Sequence, residues 1–238
     1  MSTPVSLDPA SAPAVADTSL IATSISFIQD GGFFMYPILI VLAIGLGIVL
    51  ERVIYLQTTK ARNKKIWDQV FPMLAKGQFR QAMDVVKDSK VGVGRIVANG
   101  LERARLSRRH DDVELAMEEG LMEVMPRLEA RTPYIATLAN IATLLGLLGT
   151  IIGLIQAFTA VASADPAQKA DLLSASISVA MNTTAFGLIA AIPLLLAFSF
   201  INSMTGKLID SMEMASVKFL NVFRQVVAQQ DQRGGDGQ

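Results

Sequence analysis

The fold of this chain is decided by the segment LLGLLGTIIG, residues 144–153, which lies inside an apolar run from Leu138 to Val161. A second apolar run, from Ile177 to Phe200, contains the segment NTTAFGLIAAIP at residues 182–193. Neither run contains Asp, Glu, Lys, Arg or His. Each is longer than the roughly 20 apolar residues that cross a bilayer as a helix. Threonine, asparagine and glycine inside such runs predict closely packed transmembrane helices with a sparse polar path.

The composition favours a membrane protein and excludes several kinds of site. Apolar residues make up 51% of the chain, and the mean hydropathy is positive. The formal net charge is zero, so the overall charge indicates no nucleic-acid partner. The absence of cysteine excludes disulfides, thiolate metal sites and cysteine nucleophiles. The single histidine, His110, lies in the polar segment RRHDD and is interpreted as an ordinary surface residue, so neither a metal site nor a catalytic triad is predicted.

A third apolar segment, from Phe33 to Leu50, is followed by Glu51-Arg52. No Lys or Arg precedes Arg52, so the segment lacks the basic region of a signal peptide and is interpreted as an uncleaved membrane helix. Basic residues are concentrated between Lys60 and Arg131, which places that region in the cytoplasm by the positive-inside rule. The predicted order is an outer tail at 1–31, a first transmembrane helix at 32–56, a cytoplasmic helical region at 57–132, a second transmembrane helix at 133–163, an outer loop at 164–171, a third transmembrane helix at 172–204, and a cytoplasmic C-terminal helix and tail at 205–238.

The predicted cytoplasmic parts are helical in pattern. Apolar residues recur at helical spacing on both sides of a break at Lys76-Gly77. Asp111-Asp112 favours the start of a long helix, which Pro126 and Pro133 are expected to kink or divide. Gly92-Val93-Gly94 lacks the strand, the third glycine and the lysine of a phosphate-binding loop and is interpreted as a turn. The predicted fold class is therefore an all-α polytopic membrane protein with three transmembrane helices and long cytoplasmic helical extensions.

Small residues form one face of each of the second and third transmembrane helices. Such faces allow helix backbones to approach, and a threonine hydroxyl can bond to its own helix, so one interpretation is helix packing. The other interpretation is the wall of a lumen that solvates an ion transiently. Because no carboxylate lies inside these apolar runs, a titratable group for ion coupling would have to come from a partner. The faces are Ala139, Thr143, Gly146, Thr150, Gly153 and Ala157 on the second helix, and Ser176, Ala180, Thr183 or Thr184, Gly187 and Ala191 on the third.

These segments resemble the motifs of the ExbB/TolQ/MotA proton-channel family. LGLLGTIIG at 145–153, followed by Ala157-Phe158, resembles the second-span motif, and TTAFGLIAAIP at 183–193 resembles the third-span motif. The Glu51-Arg52 pair is also similar to that family. Three spans with a large insert after the first resemble the ExbB and TolQ branch rather than the four-span MotA branch. The resemblance covers about residues 32–227.

The resemblance implies a motor subunit of the bacterial inner membrane, with the outer segments in the periplasm. Family members form a ring, generally a homopentamer, around a single-span partner resembling ExbD or TolR, whose membrane Asp takes up and releases the ion. No cofactor is implied beyond the transported H⁺ or Na⁺. By the same resemblance, Thr150 and Thr184 face that Asp and Thr183 is the adjacent hydroxyl. The predicted ion pathway is Thr143, Thr150, Asn182, Thr183 and Thr184, and the predicted close-packing or pore face is Gly146, Gly149, Gly153 and Gly187.

The sequence departs from the family pattern at three places. An Ala-Pro that commonly opens the second-span motif reads Ala142-Thr143, and a Pro-Gly near the start of the third span is replaced around Ala175-Ser176. The Glu that ExbB and TolQ usually carry is Val179 here, which leaves the choice between H⁺ and Na⁺ open, because a route lined by hydroxyls and amides also suits Na⁺. The rival function is a non-conducting membrane scaffold that packs helices without moving ions. An enzyme is not predicted, since the sequence offers no nucleophile and base or metal cluster.

Overall fold

The computed structural model describes residues 32–107 and 109–235, with side chains described as far as residue 228. The described residues form helices and no strand, which confirms the predicted all-α class. The predicted outer tail at 1–31 lies outside the described residues. The helices are α1 (Met35–Ala75), α2 (Phe79–Val86), α3 (Gly92–Leu106), α4 (His110–Glu129), α5 (Thr132–Ser163) and α6 (Lys169–Gly235).

Among the residues that the structure describes, three helical stretches are long and apolar enough to cross a membrane. They lie within Met35–Ala75, within His110–Ser163 and within Lys169–Ala228. This agrees with the three apolar runs of the sequence and describes a multi-pass membrane protein. The ends of the spans, and the side of the membrane on which each connection lies, stay predictions.

The predicted break at Lys76-Gly77 is confirmed, because α1 ends at Ala75. Gly77 adopts a φ of +71°, a left-handed conformation that suits glycine. The Gly77 N–H donates to the Leu74 carbonyl and the Gln78 N–H donates to the Met73 carbonyl, both at 2.9 Å. These two bonds satisfy carbonyls at the end of the helix in the pattern of a Schellman cap.

The helix that opens at Asp111-Asp112 is divided, as its prolines predict. Pro126 lies in the last turn of α4, and Pro133 is the second residue of α5. A proline in the first turn of a helix gives up an N–H that has no intrahelical acceptor, so Pro133 suits its position. Between the two helices Arg131 has a φ of 64°, a conformation that few non-glycine residues adopt.

The interpretation of Gly92-Val93-Gly94 as a turn is wrong, because these residues form the first turn of α3. The Val93 N–H donates to the Asn63 side-chain oxygen at 3.1 Å, so α1 supplies a cap for the start of α3. A Cβ on Gly92 would lie 2.9 Å from side-chain atoms of Met212 and Val124. Tertiary packing therefore requires glycine here and outweighs its low helix propensity.

The chain separates into two compact units, each described here by itself. Among the described residues, the first unit comprises 32–43 and 138–193, and the second comprises 44–107, 109–137 and 194–235. The second unit has an apolar core contributed by α1, α3, α4 and α6. Its fully buried side chains include Leu56, Leu74, Ile96, Leu101, Met117, Leu128 and Phe219.

His110, which the sequence predicts to be an ordinary surface residue, is only partly exposed. Its ring lies edge-on to Phe223, with the ring centroids 5.5 Å apart, and its Nδ1 atom is buried. Phe223 in turn stacks on Phe219 in the core of the second unit. The polar neighbours of His110 in the sequence gave no sign of this packing.

Glu51 and Arg52 of α1 both contact the junction between α4 and α5. Arg52 is only 3% exposed, and its guanidinium donates to the Leu128 carbonyl in the last turn of α4. The same guanidinium lies 5.0 Å from the centroid of the Tyr55 ring. Glu51 forms an ion pair with Arg131 at 2.6 Å. A cation at the carbonyl end of a helix is favourable, since those carbonyls lack intrahelical donors.

Candidate functional site

The site lies in the first unit, where α5 and α6 cross as antiparallel neighbours. Gly146 and Gly187 face each other at the crossing: a Cβ on Gly187 would lie 2.9 Å from the Gly146 Cα and 2.8 Å from the Ala142 carbonyl oxygen. These are backbone atoms, so no flexible side chain can move aside. The two glycines therefore set how closely the helices approach, as small residues do in membrane helix pairs.

Gly149 and Gly153 extend the close contact along α5. A Cβ on Gly149 would meet the Thr183 methyl group and would lie 3.3 Å from the Phe34 Cβ, next to the start of α1. A Cβ on Gly153 would lie 2.8 Å from the Ala180 Cβ. Gly146, Gly149 and Gly153 thus face α6, and Gly187 faces α5, within one polypeptide.

Thr150 and Thr184 meet beside the Gly146–Gly187 crossing. The Thr184 hydroxyl donates to the Gly146 carbonyl at 3.0 Å, and the Thr150 hydroxyl donates to the same carbonyl at 3.2 Å. The two hydroxyl oxygens also contact each other directly. Both threonines are half-buried. The Gly146 carbonyl oxygen therefore accepts hydrogen bonds from hydroxyls of both helices.

The donors around the Gly146 carbonyl exceed the acceptor sites of that oxygen. A carbonyl has two lone pairs, and in a helix one of them accepts the N–H four residues further on. The two threonine hydroxyls compete for the remaining lone pair of the carbonyl oxygen, and each hydroxyl has a single proton to donate. One hydroxyl can consequently turn its proton to another acceptor while the carbonyl keeps its hydrogen bonds. Each hydroxyl also keeps lone pairs that can accept a proton donor.

Thr183 is placed differently from its neighbour Thr184. Its side chain is buried, and its hydroxyl donates to the Val179 carbonyl at 2.9 Å, one turn earlier in α6. Its methyl group is the atom nearest to a Cβ built on Gly149. The side chain thus contributes packing through the methyl and bonds to its own helix through the hydroxyl.

Thr143 and Asn182 lie beside this site rather than in it. Thr143 is exposed, and its hydroxyl donates to the Ala139 carbonyl of its own helix at 3.2 Å. Asn182 is half-buried, two residues before Thr184. Val179, which replaces the family Glu, is partly exposed, and its Cγ1 lies 3.3 Å from a Cβ built on Gly32. The structure therefore brings together Thr150, Thr184 and the four glycines, and leaves Thr143 at the edge of the helix face.

The segments of α5 and α6 that form the site carry no ionised side chain. The segments at 133–163 and 172–204 contain no Asp, Glu, Lys, Arg or His. In the described residues, no three His, Asp or Glu side chains come together as metal ligands. The arrangement can exchange hydrogen bonds, but it cannot itself bind and release a proton near neutral pH.

The feature that sequence reasoning missed is the role of the Gly146 carbonyl. The sequence predicts that Gly146 allows close helix packing. The structure adds that its backbone carbonyl is the acceptor shared by Thr150 and Thr184. Finding it requires the register between α5 and α6, which depends on pairing residues 38 positions apart. The signal available in the sequence was Gly146 and Thr150 at a spacing of four, which allows a threonine hydroxyl to reach that carbonyl.

Comparison with known proteins identifies the group to which these segments are similar. The family model described as "MotA/TolQ/ExbB proton channel family" matches residues 88–214, which include α3, α4, α5 and most of α6. This match covers both glycine-bearing helices of the site. It does not include α1.

Several relatives among known proteins carry ExbB and TolQ names. An ExbB homologue from Methanothermobacter thermautotrophicus is 29% identical over 194 residues, which are 81% of this chain and 67% of the relative. The Tol-Pal system protein TolQ of Haemophilus influenzae is 33% identical over 122 residues, 48% of this chain and 53% of the relative. The biopolymer transport protein ExbB of Aquifex aeolicus is 32% identical over 115 residues, 48% of this chain and 75% of the relative.

Proposed function

Because this chain is a multi-pass membrane protein that belongs to the MotA/TolQ/ExbB proton channel family, we propose that it is a subunit of a motor driven by ion motive force. Five copies form a ring in the bacterial inner membrane around a single-span partner resembling ExbD or TolR. The N-terminus is periplasmic and the C-terminus is cytoplasmic. The flow of H⁺ or Na⁺ through the complex is coupled to mechanical work at the cell envelope.

The observation that carries this proposal is the pair of threonines on the Gly146 carbonyl, in segments of α5 and α6 (133–163 and 172–204) that contain no carboxylate. An ion carrier of this kind needs a group that changes charge inside the membrane, and such groups are costly unless donors stabilise them. Since segments 133–163 and 172–204 supply hydroxyl donors and no titratable group, we assign the titratable group to an Asp of the partner.

The chemistry of the pair suits a group that is loaded and unloaded in turn. An ionised Asp of the partner accepts a hydrogen bond from the hydroxyl that is not needed by the Gly146 carbonyl. A protonated Asp donates to the lone pair of either hydroxyl. Because both states find a hydrogen bond, neither is strongly trapped. Each elementary charge that crosses 100 mV supplies about 2.3 kcal/mol, which is the driving energy for each step.

The names of the relatives support work at the envelope. The Haemophilus relative is a Tol-Pal system protein and the Aquifex relative is a biopolymer transport protein. Transport of a biopolymer is work that ion flow can drive, and the proposal extends such work to this chain. The absence of the family Glu at Val179 is the reason to keep Na⁺ beside H⁺ as the transported ion.

A non-conducting scaffold is the second candidate, and one observation favours it. The small residues Gly146, Gly149, Gly153 and Gly187 are all occupied in packing α5 on α6 within one chain. A scaffold would need this packing and nothing more. It would give no reason for two hydroxyls from different helices to share one acceptor.

The test is co-expression of this chain with a single-span protein that carries an Asp in its membrane segment. We expect the two to purify together and to move H⁺ or Na⁺ across liposomes under an imposed gradient. Asp→Asn in the partner should abolish the flux and leave the complex intact. Flux that is absent from a stable complex under both gradients would support the scaffold.

A further inference from the structure

A cavity of about 160 Å³ lies in the second unit, enclosed by residues of α1, α3 and α4. Its wall carries Arg62 from α1, Lys90 and Arg95 at the start of α3, and Arg127 from α4. The hydroxyl-bearing residues Tyr55 and Thr59 also line it, and no Asp or Glu does. Four basic side chains thus converge on a small cavity that has no acidic wall.

The positive charge around this cavity is largely uncompensated. Arg95 forms an ion pair with Glu123 at 2.6 Å. In the described part of the chain, Arg62, Lys90 and Arg127 form no ion pair. Cations gathered at one cavity repel each other, so an anion bound among them lowers the electrostatic free energy.

The cavity also includes the N-terminal end of α3. Val91 is the N-cap residue, it provides no side-chain cap, and both Val91 and Gly92 line the cavity. The N-terminus of a helix carries partial positive charge and presents N–H groups, and both favour a phosphate. This helix end adds its field to that of the basic side chains.

Two buried side chains next to the cavity have N–H donors without acceptors. Arg52 and Asn63 are each 3% exposed, and the Arg52 Nε and Asn63 Nδ2 atoms have no hydrogen-bond partner. Arg52 bonds to Leu128, which lines the cavity, and Asn63 bonds to Val93 in the first turn of α3. The unpaired groups around this cavity are therefore donors, which is what an anion requires.

Two other cavities of the second unit have acidic residues in their walls. One is lined by Glu102, Asp112 and Glu119 together with Arg103. Another contains Arg80, Arg105 and Lys87, but there Lys87 pairs with Asp84 at 3.4 Å. A cavity with several basic residues can therefore also have an acidic residue in its wall. Their convergence without an acid distinguishes the cavity of Arg62 and Arg127.

We propose that this cavity binds one phosphate group, supplied by the headgroup of an anionic phospholipid. Tyr55 lies at the end of the first predicted span (32–56), and Arg127 lies shortly before the second (133–163), so the cavity falls at the predicted cytoplasmic headgroup level. Basic pockets between membrane helices on this side bind phosphate headgroups, and tyrosine is common at this depth. The site does not depend on the proposed motor activity.

The construction differs from a phosphate-binding loop. Gly92-Val93-Gly94 follows no strand and precedes no P-loop lysine, and its glycines are required by packing against Met212, Val124 and Ser89. The phosphate ligands here are side chains of three separate segments, assisted by a helix end. A free phosphate ion and the phosphate of a lipid headgroup would bind through the same chemistry. The experiment therefore tests the lipid and inorganic phosphate separately.

The test compares the full-length chain with the double variant Arg62→Gln/Arg127→Gln. The matched control is Lys64→Gln/Lys65→Gln, which removes the same charge from exposed residues of α1 that do not line the cavity. Each protein is purified in mild detergent, and bound phosphatidylglycerol is counted by native mass spectrometry. Thermal unfolding is then followed with added phosphatidylglycerol, phosphatidylcholine or inorganic phosphate at equal ionic strength.

We expect the wild type and the lysine control to retain phosphatidylglycerol and to be stabilised by it, and not by phosphatidylcholine. The arginine variant should retain at least tenfold less. Stabilisation by inorganic phosphate alone, lost in the arginine variant, would support the phosphate site and overturn the lipid source. Equal retention by all three proteins, without a phosphate response, would overturn the proposal. If the double variant does not assemble, Lys90→Gln at the exposed residue before α3 decides by the same measurements.

Discussion

Gly187 lies against Gly146 so closely that a Cβ on Gly187 would stand 2.9 Å from the Gly146 Cα. Because the opposing atoms belong to backbone, the helices must separate to admit even a methyl group. This contact fixes the distance between α5 and α6, and with it the meeting of the two threonines on the Gly146 carbonyl.

Gly187→Ala should therefore destabilise the protein by about 1–3 kcal/mol, the usual cost of overpacking. Gly206→Ala is the matched control on the same helix, because a Cβ on Gly206 would meet nothing within 4 Å. The control should be neutral or stabilising by up to ~1 kcal/mol, since alanine favours helices. Thermal unfolding in detergent measures both, and equal melting temperatures for the two variants would contradict the close contact.

Thr150→Val and Thr184→Val should leave folding and partner binding intact, because the Gly146 carbonyl keeps its other donors. Gradient-driven activity should fall by at least about tenfold in each, since a hydrogen bond to a charged group contributes ~1.5–3 kcal/mol. Thr159→Val is the control: its hydroxyl donates to the Ile155 carbonyl of its own helix at 2.8 Å and has no counterpart on α6. Wild-type activity in both test variants, at normal protein levels, would return these threonines to a packing role.

Thr183→Val should change the relative dependence on Na⁺ and H⁺ more than it changes assembly. Valine keeps the methyl group beside Gly149 and removes the hydroxyl, which is one of few oxygens near the site. Thr205→Val is a suitable control, because Thr205 is also buried on α6 and bonds one turn back, to the Ile201 carbonyl. Activity measured under imposed Na⁺ and H⁺ gradients decides, and an unchanged ion preference would remove Thr183 from the predicted pathway.

Native mass spectrometry of the purified chain should show a pentamer. Large apolar side chains are exposed outside the predicted spans, including Leu115 and Met122 on α4 and Met214 and Val217 on α6, and burial between copies would remove them from water. Met122→Glu should weaken the oligomer, whereas Met122→Leu should keep it. Deletion of residues 1–16 should have no effect on assembly. A stable wild-type monomer in mild detergent would contradict the ring.

Arg52→Met should destabilise the protein by about 1–3 kcal/mol, because the buried Leu128 carbonyl at the end of α4 loses its donor. Arg131→Met should have little effect, since the ion pair of Arg131 with Glu51 is exposed to solvent. Thermal unfolding of the two variants provides the comparison. A larger loss for Arg131→Met would show that the exposed pair, and not the buried guanidinium, holds this junction.

The sequence predicts the helices far better than it predicts their contacts. Apolar runs without charges indicate three membrane helices, and Gly77 marks a helix end by its own conformational freedom. Gly92 shows the limit: local propensity favours a turn, while a cap from Asn63 and packing against Met212 produce a helix. The same holds for Arg52, whose acceptor lies 76 residues away.

The candidate site can likewise be predicted only in part from the sequence. The motifs around Thr150 and Thr184 point to the two hydroxyls, because each lies on a small-residue face. That the hydroxyls share one carbonyl depends on the register of the helix pair, which a pattern within one helix cannot give. Thr143 fits the same face by its spacing, yet it is exposed, because the neighbouring helix does not cover that edge of α5.

The surplus donor at the Gly146 carbonyl also has a consequence for timing. Redirecting a threonine proton requires only rotation about the C–O bond, a movement on the picosecond to nanosecond scale, whereas collective helix and domain motions take microseconds to milliseconds. The exchange of hydrogen bonds at Thr150 and Thr184 is then always at equilibrium on the timescale of a motor step. Turnover should be limited by ion arrival or by helix movement. Turnover driven by a Na⁺ gradient should consequently be nearly the same in D₂O as in H₂O, because exchange of the two hydroxyl protons for deuterons does not affect the rate-limiting step.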